Sequence, residues 1–298
     1  MQSFLSVMPS RHRRARDRLR HPAAALITHG CLVVLIAAEF ALLLNTPVWV
    51  AALPCLLLHH RIGVLAHEYI HGIPFRRRRG NLLVIGVLEP IAQTFGLLEL
   101  FRGTHLAHHR WLNTERDPAF QTAQRSRTTG GAFLGLSQLE IVQHFHYLAD
   151  ILRHGHPIAR RSRIMRGFFL SLAAVVFWVA IGHAEIVLYL AALNLYTGMV
   201  SSSLRGAVEH HGPPGERRST NEYRAFIPLF NLNRHVHHHI DPRCPWYLLE
   251  FQSTPLPART FVTHWVHVYL KRDYTLLPPE PRGAAPDGGE VGTALHGV

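Results

Sequence analysis

VWVAALPCLLLHHRIGVLAHEYIH, residues 48–71, decides the fold. Residues 48–66 carry a single formal charge, Arg61, and are long enough to cross the ~30 Å hydrocarbon layer of a bilayer as a helix. The run then leads without a break into His67-Glu68-Tyr69-Ile70-His71. Helical positions i and i+4 share a face, so His67 and His71 point at a common centre where the apolar run ends. The stretch reads as a membrane crossing whose mouth carries a pair of metal ligands.

Further runs of nearly uncharged sequence occupy residues 24–46, 168–183 and 184–204. Short turns at Asn45-Thr46-Pro47 and Gly182-His183-Ala184 join the four into two hairpins. The expected fold is all-α: four transmembrane helices within one membrane domain over residues 23–277. The formal charge of +12 could indicate nucleic acid, but its placement argues for a membrane instead. Arg11, Arg13, Arg14, Arg16, Arg18 and Arg20 precede the first run, Arg76 to Arg79 follow the second, and Arg153, Arg160, Arg161, Arg163 and Arg166 lead into the third. Basic residues at those positions mark the cytoplasmic side and suit an anionic membrane surface, which leaves no role for nucleic acid. The basic segment 1–22 is followed by an apolar run too long for a signal-peptide core, so it reads as a retained anchor in a multi-pass cell-membrane protein with a cytoplasmic N-terminus. Cys31, Cys55 and Cys244 form no CxxC pair, and hence neither a disulfide framework nor a thiolate metal site.

Residues 81–100 hold Glu89-Pro90 at their centre. Proline interrupts the helical ladder and a carboxylate is costly in hydrocarbon, so this segment reads as a broken, re-entrant or interfacial helix rather than a span. That keeps the histidines before and after it on one side of the membrane. Residues 110–166 are polar, with an amphipathic repeat in their later part, and read as a helical cytoplasmic cap. The Gly/Pro/Ala-rich segment 278–298 reads as disordered.

Three more histidine clusters follow the first: His105-Leu106-Ala107-His108-His109, Glu209-His210-His211 and His235-Val236-His237-His238-His239. HxxHH spacing puts three imidazoles on one helical face. Together His67, His71, His105, His108, His109, His210, His235, His238 and His239 are too many ligands for one metal ion and enough for two. Imidazole itself suits zinc, copper, iron and nickel alike. Glu68, Asp117, Glu209 and Asp241 lie beside the clusters and are candidates to orient the rings by accepting the second ring N–H. His211 and His237 leave an alternative register open in the last two clusters. Histidines without boxed spacing, among them His29, His59 and His60, read as non-ligands. A rival reading takes HEYIH as the HExxH motif of a zinc metallopeptidase, with Glu68 as general base. It leaves the second and fourth clusters unexplained.

HEYIHG, GTHLAHHRWLNTERDP, RGAVEHHG and NLNRHVHHHIDPRCPWYLL, in this order and interleaved with apolar hairpins, resemble the membrane fatty acid desaturase superfamily over residues 24–260. The resemblance implies a non-haem di-iron centre at the cytoplasmic face, held by the nine histidines above, with O₂ as oxidant. It also implies a lipid or acyl-chain substrate with unactivated C–H bonds. Where acyl-CoA members often carry an asparagine four residues before the extra histidine, this chain has Gly206. No rubredoxin-like CxxC module is present, so the resemblance calls for a separate electron donor such as a ferredoxin or rubredoxin with its reductase. The flanking DP and PWY elements favour an acyl-lipid desaturase. Carotenoid ketolases and lipid hydroxylases share much of the pattern, so hydroxylation and ketolation stay open.

Overall fold

The computed structural model describes residues 23–111, 117, 148–149, 151, 153–154, 158–198, 209–210, 233–252 and 260–271. Segment 1–22, most of the expected cap in 110–166, the end of the fourth apolar run beyond 198, His211 and the tail 278–298 lie outside these residues. Every element among the described residues is helical: α1 (Ala23–Asn45), α2 (Val48–Ile70), α3 (Arg78–Ala92), α4 (Leu97–Trp111), α5 (Arg161–Ala180), α6 (Ala184–Thr197), α7 (His235–Ile240), a 3₁₀ segment (Trp246–Gln252), α8 (Phe261–His264) and a π-helical turn (Trp265–Leu270). The chain divides into two compact units. One comprises Ala25–Leu106 with Gly135–Leu204; the other comprises Met1–Ala24, Ala107–Leu134 and Arg205–Val298.

Three helices of the first unit are long and apolar enough to cross a membrane: Ala25–Asn45, Val48–Ile70 and Arg161–Ala180. They mark a membrane protein. α6 is apolar but spans only 14 described residues, about 21 Å at the helical rise. α2 does not stop at the end of its apolar run but continues through His67 to Ile70, so the first histidine pair shares a rigid helix with the span. α5 begins at Arg161, seven residues ahead of the uncharged run. Long arginine side chains can extend from a helix towards water, so charge ends the apolar pattern without ending the helix.

The outer faces of the long helices are apolar and exposed, for example at Val33, Val34, Leu53, Phe169 and Val176. Such a belt is what hydrocarbon, rather than water, would cover. Inward, Leu43 of α1, Ala51 and Cys55 of α2, and Ile186, Leu190 and Leu193 of α6 form one buried cluster, with Phe40 stacked on Trp178 at 5.7 Å. Leu100, Ile151, Ala159 and Ile164 form a second.

The segment around Glu89-Pro90 is broken, as its composition suggested, but the break lies three residues beyond the proline. α3 and α4, 15 residues each, are each about 22 Å long and too short to span ~30 Å. Between them Gln93 and Phe95 adopt left-handed backbone (φ 51° and 53°), an unfavourable conformation for non-glycine residues that needs external support. Glu89 supplies that support. Its carboxylate accepts hydrogen bonds from the Thr94 hydroxyl, from Gly96 N (2.8 Å) and from Glu99 N (3.1 Å). The last two are orphan donors at the start of α4, where negative charge is favoured. Ser171 of α5 bridges the turn, donating to Glu89 O at 2.8 Å and accepting from Phe95 N at 3.1 Å. Gly96 must be glycine: its φ is +86° and a Cβ there would lie 2.5 Å from Ile164 O. The carboxylate that argued against a span is thus the group that fastens the break.

Candidate metal centre

In the first unit, α2 contributes His67 and His71, and α4 contributes His105. Their Nε2 atoms form a triangle with edges of 2.8 Å (His67–His105), 2.9 Å (His71–His105) and 3.1 Å (His67–His71). Hydrogen bonding alone cannot satisfy this arrangement. Each Nε2 of a neutral imidazole carries either a proton or a lone pair, so at least two of the three are alike and face each other across one edge. A metal ion removes the conflict by taking three lone pairs. Ligands about 2.1 Å from an ion and 90° apart stand about 3.0 Å from one another. The observed edges match one triangular face of such a coordination sphere. The donor set therefore fits a metal ion.

The second unit gathers the other six predicted ligands. His108, His210 and His239 bring ring nitrogens within 4.8 Å of one another, and a Glu209 carboxylate oxygen stands equally close to ring nitrogens of His210 and His235. His235 Nε2 lies 3.2 Å from His210 Nε2 and 3.1 Å from His239 Nε2. His109 Nε2 faces His238 Nε2 at 3.1 Å, and the His109 ring stacks on His239 with centroids 4.2 Å apart. Burial, reinforced by the imidazoles of His109, His235, His108 and His210, pushes the His239 pKa well below its usual value. His239 is therefore neutral, with a lone pair to give. α4 carries residues of both groups, because the HxxHH spacing on a helix directs His105, His108 and His109 inward.

The four carboxylates singled out from the sequence separate by geometry. Asp117, 1% exposed, accepts from His108 Nδ1 with both oxygens at 2.8 and 3.0 Å, which leaves His108 Nε2 for a ligand. Glu209 faces Nε2 of His235 at 3.3 Å, the nitrogen that also faces His210 and His239. That position suits a direct oxygen ligand better than a partner for the far ring N–H. Glu68 is buried, and its carbonyl accepts from Ile73 N at 3.0 Å. Asp241 closes α7, donating its backbone N–H to His237 O at 3.0 Å. His237 is half-buried and outside the gathered groups found among the described residues. Burial first, and Arg234 second, push its pKa down to about 4.

Asp117→Asn replaces a carboxylate acceptor by an amide that can also present its NH₂ to the ring, so it weakens control of the His108 tautomer. The expected result is a 10–100-fold loss of metal affinity, read by competition against a chelator of known affinity.

A family model described as fatty acid desaturase matches residues 47–260, which hold all nine histidines. The chain belongs to the fatty acid desaturase family. No curated protein sequence matches it. Membership in this desaturase family sets aside the peptidase reading of HEYIH, and the geometry agrees, since His105 meets His67 and His71 on equal terms. Pattern reading did miss a buried polar group elsewhere in the membrane helices. His59, set aside for lack of boxed spacing, is 4% exposed and bound on both ring nitrogens. The available signal was Glu39, a carboxylate inside an apolar run, which requires a partner.

Proposed function

We propose that this desaturase-family protein is an O₂-dependent oxidoreductase that introduces a double bond into the unactivated hydrocarbon chain of a membrane lipid. The observation that carries the reading is the triangle of imidazole nitrogens at 2.8–3.1 Å, within a chain that the family model matches over residues 47–260. His67, His71 and His105 would hold one iron. His108, His210, His235 and His239, with Glu209, are donors for a second, and His109 and His238 complete the nine imidazoles. Bound iron would supply the electrons and the Lewis acidity that O₂ reduction requires.

The residues prepare the site in three ways. Neutral rings such as His239 offer lone pairs without a proton to displace at neutral pH. Asp117 fixes the His108 ring and its tautomer through two short contacts. Burial of His67, His108, His235 and His238 limits the access of bulk water, which favours electron use in chemistry over leakage. The arginine-rich ends of the spans support a cytoplasmic position for the centre by the positive-inside rule. They also give an acidic electron-transfer protein, of ferredoxin or rubredoxin type, a surface that speeds encounter.

The test is expression in a host with a reductase system, followed by lipid mass spectrometry and iron quantitation, with His108→Ala alongside. The expected product is a lipid 2 Da lighter than its precursor, formed only in air and absent from the variant, with about two irons per chain. A product 16 Da heavier would identify a hydroxylase instead. Unchanged lipids and an iron-free wild type would sink the proposal.

A further inference from the structure

The membrane helices hold an ionisable cluster outside the histidine boxes. Glu39 of α1 is 2% exposed; its Oε1 lies 2.9 Å from Nδ1 of His59 on α2, itself 4% exposed. His59 Nε2 lies 3.1 Å from Oδ1 of Asn194 on α6, and Asn194 Nδ2 donates to Ala92 O at 2.6 Å. Ala92 ends α3, so its carbonyl has no partner within that helix. This last bond orients the amide: with the NH₂ committed to a carbonyl, Asn194 presents its oxygen to His59, and Nε2 must carry a proton.

The proton count then follows. One proton lies between His59 Nδ1 and Glu39 Oε1, whether as imidazolium beside carboxylate or imidazole beside carboxylic acid. Both forms are neutral overall, so the pair can sit in a medium that excludes an isolated charge while holding one transferable proton. The other oxygen, Glu39 Oε2, is buried without a hydrogen-bond partner among the described residues.

A route leads from the pair towards the candidate metal centre. His59, Gly63 and His67 succeed one another at i+4 along α2, so His59 and His67 are about 12 Å apart along the axis. Asn194 and Thr197 are one turn apart on α6 and face His59 and Gly63 respectively; a Cβ at Gly63 would meet only Thr197 Cγ2, at 3.4 Å. The Thr197 hydroxyl oxygen is buried and lacks a hydrogen-bond partner among the described residues. It stands at the level halfway between His59 and His67, beside a residue with no side chain. A buried hydroxyl needs a hydrogen-bond partner, which a bridging water can supply.

We propose that Glu39 and His59 form an intramembrane proton donor, which passes its proton by way of the Thr197 hydroxyl and water to the oxygen-reducing centre. The inference rests on the desaturase reading above. Forming one C=C bond takes two hydrogens from the chain, and O₂ with these, two further electrons and two further protons gives two waters. The electrons come from the reductase partner. The pair supplies one of the two protons and is left as carboxylate and neutral imidazole until solvent returns it.

The test uses the full chain in lipid nanodiscs with its reductase. Glu39→Gln keeps the volume and can donate an amide N–H to His59 Nδ1, but it removes the shared proton. Thr197→Val removes only the unpartnered hydroxyl, and Thr28→Val is a control that removes a buried hydroxyl elsewhere on α1. In both test variants kcat should fall by about 10²-fold with KM, iron content and melting temperature unchanged; the solvent deuterium isotope effect and peroxide release should rise. The control should match wild type. In metal-free protein, hydrogen–deuterium difference infrared spectra should show a carboxyl–imidazole signal that Glu39→Gln removes. Wild-type kcat and isotope effect in Thr197→Val would overturn the route, even if Glu39→Gln fails to fold. A metal-free spectrum unchanged in a folded Glu39→Gln would overturn the proton pair. That spectrum reads the pair even if wild type forms no oxygen-dependent product, an outcome that would instead overturn the desaturase reading.

Discussion

Replacing His105 by alanine should abolish oxygen-dependent product and lower the affinity of the His67/His71 face for iron by more than about 10²-fold, while the metal-free protein melts no lower than wild type. The first part follows from counting donors. His105 forms two of the three short edges of the triangle, and without it His67 and His71 present a single edge. Losing a direct ligand must cost more than losing a ring-orienting partner, which itself costs 10–100-fold. The second part follows from the protonation conflict. In the metal-free protein one edge of the triangle always joins two lone pairs or two N–H groups, and alanine removes that repulsion. Against this stands the lost packing of the His105 ring on Phe101, with centroids 5.2 Å apart, a contact worth about 1 kcal/mol. The two terms nearly cancel. Calorimetry of the metal-free and iron-loaded proteins checks the prediction: iron should raise the melting temperature of wild type more than that of His105→Ala, which keeps only the second set of donors. A large fall in the metal-free variant would mean that His105 is a structural residue and the triangle is not a metal face.

The parts of this molecule legible in the sequence were those that follow from a period. The apolar runs at 24–46 and 48–66 correspond to α1 and α2 because hydrocarbon length sets helix length, and boxed spacing puts His67 with His71 on one face of α2 and His105, His108 and His109 on one face of α4 because i, i+3 and i+4 share a face. Harder to read were features that depend on tertiary partners. Glu89-Pro90 signalled a break, yet the position of that break is set by Glu89 reaching forward to Gly96 N and Glu99 N, contacts no local pattern contains. α5 starts seven residues ahead of the uncharged run because its first turns are arginine-rich, and hydropathy cannot distinguish a helix end from a helix entering an interface. His59 was passed over because its partners are 20 and 135 residues away. The same limit applies to Glu209, where sequence adjacency suggested a ring-orienting group and geometry places its oxygen among the ring nitrogens.

Glu99→Ala should be the most destabilising single change in the first unit. Glu99 and Arg102 are 2% exposed and joined by two parallel bonds, Nε to Oε2 and a terminal guanidinium nitrogen to Oε1, each 2.7 Å. The guanidinium also donates to Ile158 O at 2.6 Å, and Glu99 Oε1 accepts from Arg160 N at 3.0 Å. The carboxylate thus ties α4 to the chain entering α5. Removing it strands a buried guanidinium, at a cost of about 3–5 kcal/mol, or on the order of 10 °C in melting temperature. Arg102→Met should cost less, because Glu99 retains Arg160 N and lies 3.5 Å from the Arg163 guanidinium. If the cost in Glu99→Ala is the stranded charge, then Glu99→Leu combined with Arg102→Met should recover more than half of it, since two apolar side chains leave no buried charge and remove only the bonds of Arg160 N and Ile158 O and the part-exposed Arg163 contact. A double variant as unstable as Glu99→Ala would show instead that the geometry of the salt bridge is what positions α4. In that case iron affinity should fall in step with stability, because His105 lies two turns further along the same helix.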